Sequence, residues 1–455
     1  MKDKILAALD SSRADYTEIR IEERESSTVV FRGEDLETAN NVIDTGGIVR
    51  CLVKDGGWGI TTFNDLSDLR IKVEQAYRSA KIAQSEESIE LAEIKPVQDK
   101  IKAELGRDFR NVSLSDKKVL AENYNNLMLD QHEKIVDTVA SYSDDFSKVT
   151  YANSEGTYIE EDRPMITLGL RAVARDGDNV QGAFESISAQ KGFEHVEGQE
   201  KLVRIVADRA VAMLDAKSVI GGQYPVILNQ SLAGVFIHEA FGHLSEADFV
   251  YENTKAREMM VLGRRFGKDI LNVYDDGSLP GERGSHKYDD EGVPMRRNYL
   301  IKNGILVGRL HSRETAAKMG EEPSGNARAT RYRYQPIVRM TNTAIDQGET
   351  SFEDMIKDIE LGVYACDAFG GQTQLENFSF SSAYAYMIRD GKIAEMVKDV
   401  ILAGNLFTTL ENIDAIGNDF KWVRRGGKCG KGQGGLDVDL GSPHIRIQDV
   451  VIGGE

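Results

Sequence analysis

Two histidines five residues apart, at the ends of His238-Glu239-Ala240-Phe241-Gly242-His243, constrain the folding of this chain more than any other stretch. At about 100° per residue, histidines four apart on an α-helix lie ~40° from one another and can share an ion. A spacing of five opens that angle to ~140° in a regular helix. For both imidazoles to face one point the helix must widen locally, as it does in a π-bulge. Gly242, just before the second histidine, lowers the steric cost of such a distortion. Ser231 is the expected N-cap, with Val235, Phe236, Ala240, Phe241 and Leu244 as the apolar side of the helix.

Two imidazoles beside a glutamate are the donor types of a catalytic zinc site, which wants a third protein ligand and an open position. Glu239 would be the general base that takes a proton from the attacking water and passes it to the leaving amine. The candidates for the third ligand are Glu246, Cys429 and the histidines at 195, 286, 311 and 444. Glu246 follows His243 by three residues and falls between the two histidines on a helical wheel. Cys429 lies in RRGGKCGKGQGG, where Lys428 and Lys431 favour the thiolate and the glycines let the backbone approach closely. The two stand level on chemistry alone.

The rest of the sequence bounds what such a site serves. A length of 455 residues allows two or three domains, and 41% hydrophobic with 29% charged residues is ordinary for a globular protein in water. No apolar run approaches the ~20 residues needed to cross a bilayer, and the short apolar patch ILAAL, without a long apolar region or small-residue cleavage site, is not expected to be a secretory signal. Three separated cysteines make no disulfide framework, so a cytoplasmic location is expected. A net charge of −18 opposes nucleic-acid binding.

Alternating patterns over 16–24 and 27–32, the IVRCLV stretch and a helical pattern over 65–83 predict an α/β domain over residues 1–84. Residues 85–220 read as a helix-and-strand region packed with it. That region holds a charged linker over 84–112, a helix capped by Ser115, strands over 135–143, 148–153, 157–161 and 165–175, and a helix over 198–217. Residues 221–455, with short apolar runs between Gly, Asn and Asp turns, read as a strand-rich domain carrying the motif helix. The fold class is therefore α+β.

The strings HEAFGHLSEAD, YDDGSLPG, GSHKYDDEGVP, KNGILVGRLHSRETA, SGNARA, PIVRMTN and IRDGKIAEMVKDVILAGN together resemble the TldD/PmbA family of metallopeptidases, the modulators of DNA gyrase. GGIVRCLVKDGGWGITTFND and EIRIEERESS are similar to the family's first domain. The resemblance covers most of the chain and is weakest over about 85–220. It implies a TldD-like catalytic branch in which zinc is held by His238, His243 and Cys429, with Glu239 as the catalytic glutamate. It also implies unstructured peptides or flexible protein tails as substrates, and a dimer formed with a metal-free homologue or with a second copy. A non-catalytic binding or assembly subunit that kept the motif is the competing expectation.

Other features carry blander readings. Gly430-Lys431-Gly432 lacks the Ser or Thr of a phosphate loop. A Cys429 nucleophile would leave the His-Glu pair without a role. Asp289, Asp290 and Glu291 read as turn and solvated-face residues, with a substrate-amine anchor as the sharper alternative. Glu246 and Asp248 are expected either to orient His238 or His243 or to end the motif helix. Arg328 and Arg339 could grip a substrate carboxylate but more often pair with acids. His311 and His444 read as ordinary strand or loop histidines, and Cys51 and Cys366 as core.

Overall fold

Residues Tyr16–Arg32 (β1) alternate apolar and polar side chains, and each set meets a different partner. The computed structural model describes residues 1–83, 88–425 and 427–453. It joins β1 to Asp35–Leu52 (β2), Trp58–Phe63 (β3), Gln98–Ile101 (β4), Ile135–Asn153 (β5), Tyr158–Asp176 (β6) and Asn179–Ala189 (β7) in one seven-stranded sheet. The order is β3-β2-β1-β5-β6, with β4 and β7 both pairing the far side of β6. Only β4 runs parallel to its neighbour. Strands from residues 1–84 and 85–220 thus share one sheet.

The apolar set of β1 faces four helices. Lys2–Leu9 (α1) and Leu69–Ile82 (α2) bury Ile5, Leu9, Leu69 and Val73 against Ile19, Ile21 and Val49. Leu114–Leu129 (α3) and Glu200–Asp215 (α4) bury Tyr124, Met128, Val203 and Val206 against Val29, Phe31 and Tyr142. The cap of α3 is Ser113, whose hydroxyl accepts from Asp116 N–H at 3.1 Å; Ser115 lies inside the first turn. The four strands expected between 135 and 175 are two long ones. The polar stretch of β5 stays in the sheet because its charges are partnered there: Lys117 reaches Asp144 at 2.6 Å, and Arg24 pairs with Asp145. Strand β7 carried too weak an alternation to be read.

The polar set of β1 is buried by the C-terminal half. Arg20 pairs with Asp290 at 2.9 Å, Arg50 of β2 pairs with Glu291 at 3.0 Å, and Glu22 accepts from Tyr332 N–H at 2.7 Å. Asp289, Asp290 and Glu291 are therefore not a solvated face: all three are at most 3% exposed. Asp289 accepts the backbone N–H groups of Glu291, Val293 and Ala327. These partners compensate charges that would be costly if buried alone.

The C-terminal half holds two larger sheets. A six-stranded sheet includes Val273–Asp276, Asn342–Ile345 and Asp439–Ser442; an eight-stranded sheet includes Gly222–Leu228, Leu361–Gln374, Asn377–Arg389 and Ile445–Gly453. Helix Gln230–Ile237 (α5) lies between them. Its Leu232, Ala233, Phe236 and Ile237 are buried with Phe378, Phe380, Val363 and Ile445. An α-helix apolar on every side belongs inside a core. Asn229 caps it by accepting from Leu232 N–H at 2.9 Å, so Ser231 is a residue of the first turn. The fold is α+β, and among the described residues no helix is long and apolar enough to cross a membrane.

Candidate metal centre

Helix α5 runs directly into a single π turn at His238–Gly242, where His243 N–H donates to His238 O, five residues back. The wider turn brings both imidazoles to one side, with ring centroids 5.2 Å apart and ring planes at 81°. Gly242 does not act through backbone freedom, since its φ of −56° and ψ of −52° are ordinary for a helix. Its role is close approach: a Cβ there would overlap the sulfur of Met340, which is buried in the core. Gly242→Ala should cost about 1–3 kcal/mol by overpacking; urea denaturation of the variant checks this, and unchanged stability would show that Met340 yields freely.

A two-stranded hairpin, Lys428–Gly430 with Gly435–Asp437, delivers Cys429 from the other side. The thiol Sγ stands 3.5 Å from His243 Nε2. One ligand atom from each of His238, His243 and Cys429 can be chosen so that all lie within 4.8 Å of one another. Zinc bond lengths in a tetrahedron put ligand atoms roughly 3.3–3.8 Å apart, so small side-chain rotations close the set. The donor chemistry fits a borderline-soft divalent cation. A second observation agrees: the Nδ1 of His238 is buried with no hydrogen-bond partner among the described residues, a loss of about 1–3 kcal/mol unless an ion or water takes it.

The carboxylate of Glu239 lies 3.8 Å from His243 Nε2 with about a third of the side chain exposed, beside the donor set and open to a substrate. Burial pushes its pKa up, His243 opposing and Glu246 adding to the rise. Burial also lowers that of His238, with His243 and Arg339 acting the same way. For His243 burial again lowers the pKa, but hydrogen bonds to Cys429 and Glu246 outweigh it and lift it to about 10.

Glu246 is not one of the clustered donors. The motif helix ends in a 3-10 turn, and Glu246 (ψ 115°) is extended, so the helical-wheel placement fails. Its Oε2 instead lies 3.1 Å from His243 Nδ1, holding the imidazole by the nitrogen that points away from Cys429. Asp248 touches neither histidine. It binds the ammonium of Lys431 at 2.7 and 2.8 Å, and Lys431 also reaches Glu246 Oε2 at 3.1 Å and Val338 O at 2.9 Å. Lys431, read from the sequence only as a charge beside the thiol, is the link between the hairpin and the carboxylate behind His243. Its distance of two residues from Cys429 was the only signal. Lys431→Met should weaken zinc binding by about 10–100-fold, the usual cost of losing a partner behind a ligand; a competition titration with a chromophoric chelator reads it.

The other sequence candidates lie elsewhere. His311 is tied to Glu321 and Thr315, and His444 to Asp419 and to the Tyr364 hydroxyl. His195 and His286 stand outside the cluster. Arg328 and Arg339 pair with no carboxylate among the described residues. Arg328 donates to Met340 O and Asp437 O, and Arg339 to the carbonyl of Cys429, so both brace the hairpin. Cys51 and Cys366 are buried and free.

A His–Glu–His turn lying beneath a cysteine hairpin has the make-up of a metallopeptidase site. The family models agree: the PmbA/TldA metallopeptidase domain 1 matches residues 17–80, the central domain 107–214 and the C-terminal domain 221–454. The chain belongs to the PmbA/TldD metallopeptidase family. It is 47% identical to a metalloprotease of Synechocystis sp. over 98% of this chain and 96% of that one. It is 37% identical to a metalloprotease of Methanocaldococcus jannaschii over 95% and 96%. A zinc metalloprotease TldD homologue of Saccharolobus solfataricus is 28% identical over 99% of both chains. The same fold is found in a Thermotoga maritima protein named as a candidate modulator of a DNA gyrase, with a TM-score of 0.82 and 22% identity over 99% of both chains. TldE of Thermococcus kodakarensis gives 0.80 and 18% over all of both chains.

Proposed function

We propose that this chain is a zinc-dependent peptidase that hydrolyses unstructured peptides or flexible protein segments. The convergence of His238, His243 and Cys429 beside Glu239 carries the reading. A divalent cation on those three side chains supplies Lewis-acid polarisation of the scissile carbonyl and activation of the attacking water. Glu239, raised in pKa and open to the substrate side, takes the water's proton on its carboxylate and returns it to the leaving nitrogen. Glu246 and Lys431 fix the orientation of His243. We further propose a cytoplasmic chain that works as a dimer with a metal-free homologue or with itself.

The test is metal content with activity. The purified chain should carry about one zinc and cleave an unstructured peptide, and a chelator should stop it. Cleavage that survives complete metal removal would refute the reading, and alkylation-sensitive cleavage without metal would point to Cys429 as a nucleophile. Proton release gives a further check. His243, with its pKa lifted to about 10, carries a proton at neutral pH that an incoming cation displaces, so affinity should rise as pH rises from 6 to 8. Calorimetry in buffers of different ionisation enthalpy measures that proton.

A further inference from the structure

Behind the cysteine hairpin, where the N-terminal sheet meets the C-terminal half, lies a cavity of about 130 Å³. Lys428 and Asp437 line it, while the Cys429 thiol turns to His243. It is therefore distinct from the metal centre. We propose that this cavity binds a small oxyanion, a phosphate or a carboxylate group, between Arg20 of the N-terminal sheet and Thr330, Arg331 and Lys428 of the C-terminal half.

The charges of the wall do not balance. Arg20 and Arg163 are matched by Asp290 and Glu161, Arg24 by Asp145, and Arg283 by Asp437. Arg328, Arg331 and Lys428 remain, and the side chains of Arg331 and Lys428 make no bond among the described residues. Against them stands Glu22 alone. Burial pushes the pKa of Glu22 up, with Arg20 opposing, and the carboxylate already accepts from Tyr332 N–H. Arg328 is 3% exposed and gives its guanidinium only to backbone carbonyls. Its own pKa is pushed down to about 10 by burial, Asp290 opposing and Arg339 adding to the fall.

The wall also offers donors that nothing accepts. Arg20 Nε and Thr330 Oγ1 are both shut from solvent and without a partner among the described residues. Water could satisfy them, but water carries no charge to offset Arg328, which is 3% exposed and flanked by the half-buried Arg331 and the exposed Lys428, and a buried charge without a counter-ion is costly. An oxyanion answers both needs, with short charge-assisted bonds. The space is well above the ~10–15 Å³ that one water requires, enough for a four-oxygen anion. Because its ligands come from both halves of the chain, such an anion would tie the hairpin that bears Cys429 to the N-terminal sheet.

The experiment uses the full-length, metal-loaded chain and reads thermal stability and calorimetry with inorganic phosphate, against sodium chloride at matched ionic strength. A second arm compares a short peptide with a free carboxyl terminus to its amide. A saturable rise in Tm with phosphate supports the proposal with a free anion as ligand; a rise with the carboxylate peptide and not the amide supports it with a chain terminus. No saturable rise with either overturns it. The double change Lys428→Ala with Arg331→Ala should leave the anion-free Tm in place and abolish the rise; a full rise in that variant also overturns it. Should the double variant fail to fold, Thr330→Val keeps the shape, removes one donor and is expected to weaken binding about tenfold. Unchanged affinity there counts against the site. None of these readings depends on peptide cleavage, so the anion site and the peptidase reading fail separately.

Discussion

Glu239→Gln is expected to retain the wild-type complement of zinc and to lose peptide cleavage by roughly 10²–10⁴-fold, the usual worth of a positioned general base. The amide keeps the size of the side chain and its place on the π turn, so the three clustered donors are undisturbed. What it loses is the oxygen that can accept and hold a proton. The arrangement separates the two roles well: the carboxylate is beside His243 yet a third exposed, whereas His238 is 3% exposed and Cys429 5%. Steady-state cleavage of a fluorogenic unstructured peptide, with zinc quantified in the same sample, gives both numbers. The loss should fall on kcat, because the proton is transferred in the transition state. Full cleavage by the glutamine variant would leave Glu239 without a catalytic role. A binding or assembly subunit predicts no cleavage in the wild type either, so the wild-type control distinguishes that case.

The motif and its distortion were legible because they are local. A spacing of five fixes the angular problem, and a helix has few ways to solve it; the π turn is the one adopted. The reading of Gly242 was right about the position and wrong about the cause, since the sequence shows an absent Cβ but not the Met340 sulfur that needs the space. The polar face of β1 is the larger lesson. Glu18, Arg20 and Glu22 alternate with Ile19 and Ile21 as in a strand with one face in water, yet they are under 10% exposed. Only tertiary structure reveals that Asp290 and Tyr332, about 270–310 residues later, meet Arg20 and Glu22, and that Glu291 reaches Glu18 through Arg50. The acidic run Asp289–Glu291 was misjudged for the same reason from the other side. Lys431 was missed because its partners, Glu246 and Asp248, lie more than 180 residues away, at the end of the motif helix. Long-range ion pairs leave no periodic trace in the chain.

Cys429→Ser is the change expected to cost the most metal. Removal of a direct ligand should exceed the ~10–100-fold that loss of an outer partner costs, enough for the variant to purify without stoichiometric zinc. A serine hydroxyl is a poor replacement because the thiolate is the form that binds and the alcohol does not ionise near neutral pH. The hairpin itself should persist. It is held through its backbone by Arg339 on the Cys429 carbonyl, by Arg328 on the Asp437 carbonyl and by the ammonium of Lys431, none of which involves the sulfur. Circular dichroism and the Tm of the metal-free forms should therefore match the wild type while chelator competition does not, which separates a lost ligand from a lost fold. If the serine variant instead kept one zinc at unchanged affinity, a different third ligand would be required. His311 and His444 are already committed to Glu321 and Asp419, and His195 and His286 stand outside the cluster, which leaves Glu246, 3.1 Å from His243 and with a buried Oε1 that has no partner among the described residues. In that case Glu246→Gln would show the loss of affinity that Cys429→Ser did not, and the pair of variants assigns the ligand whichever way the first result falls.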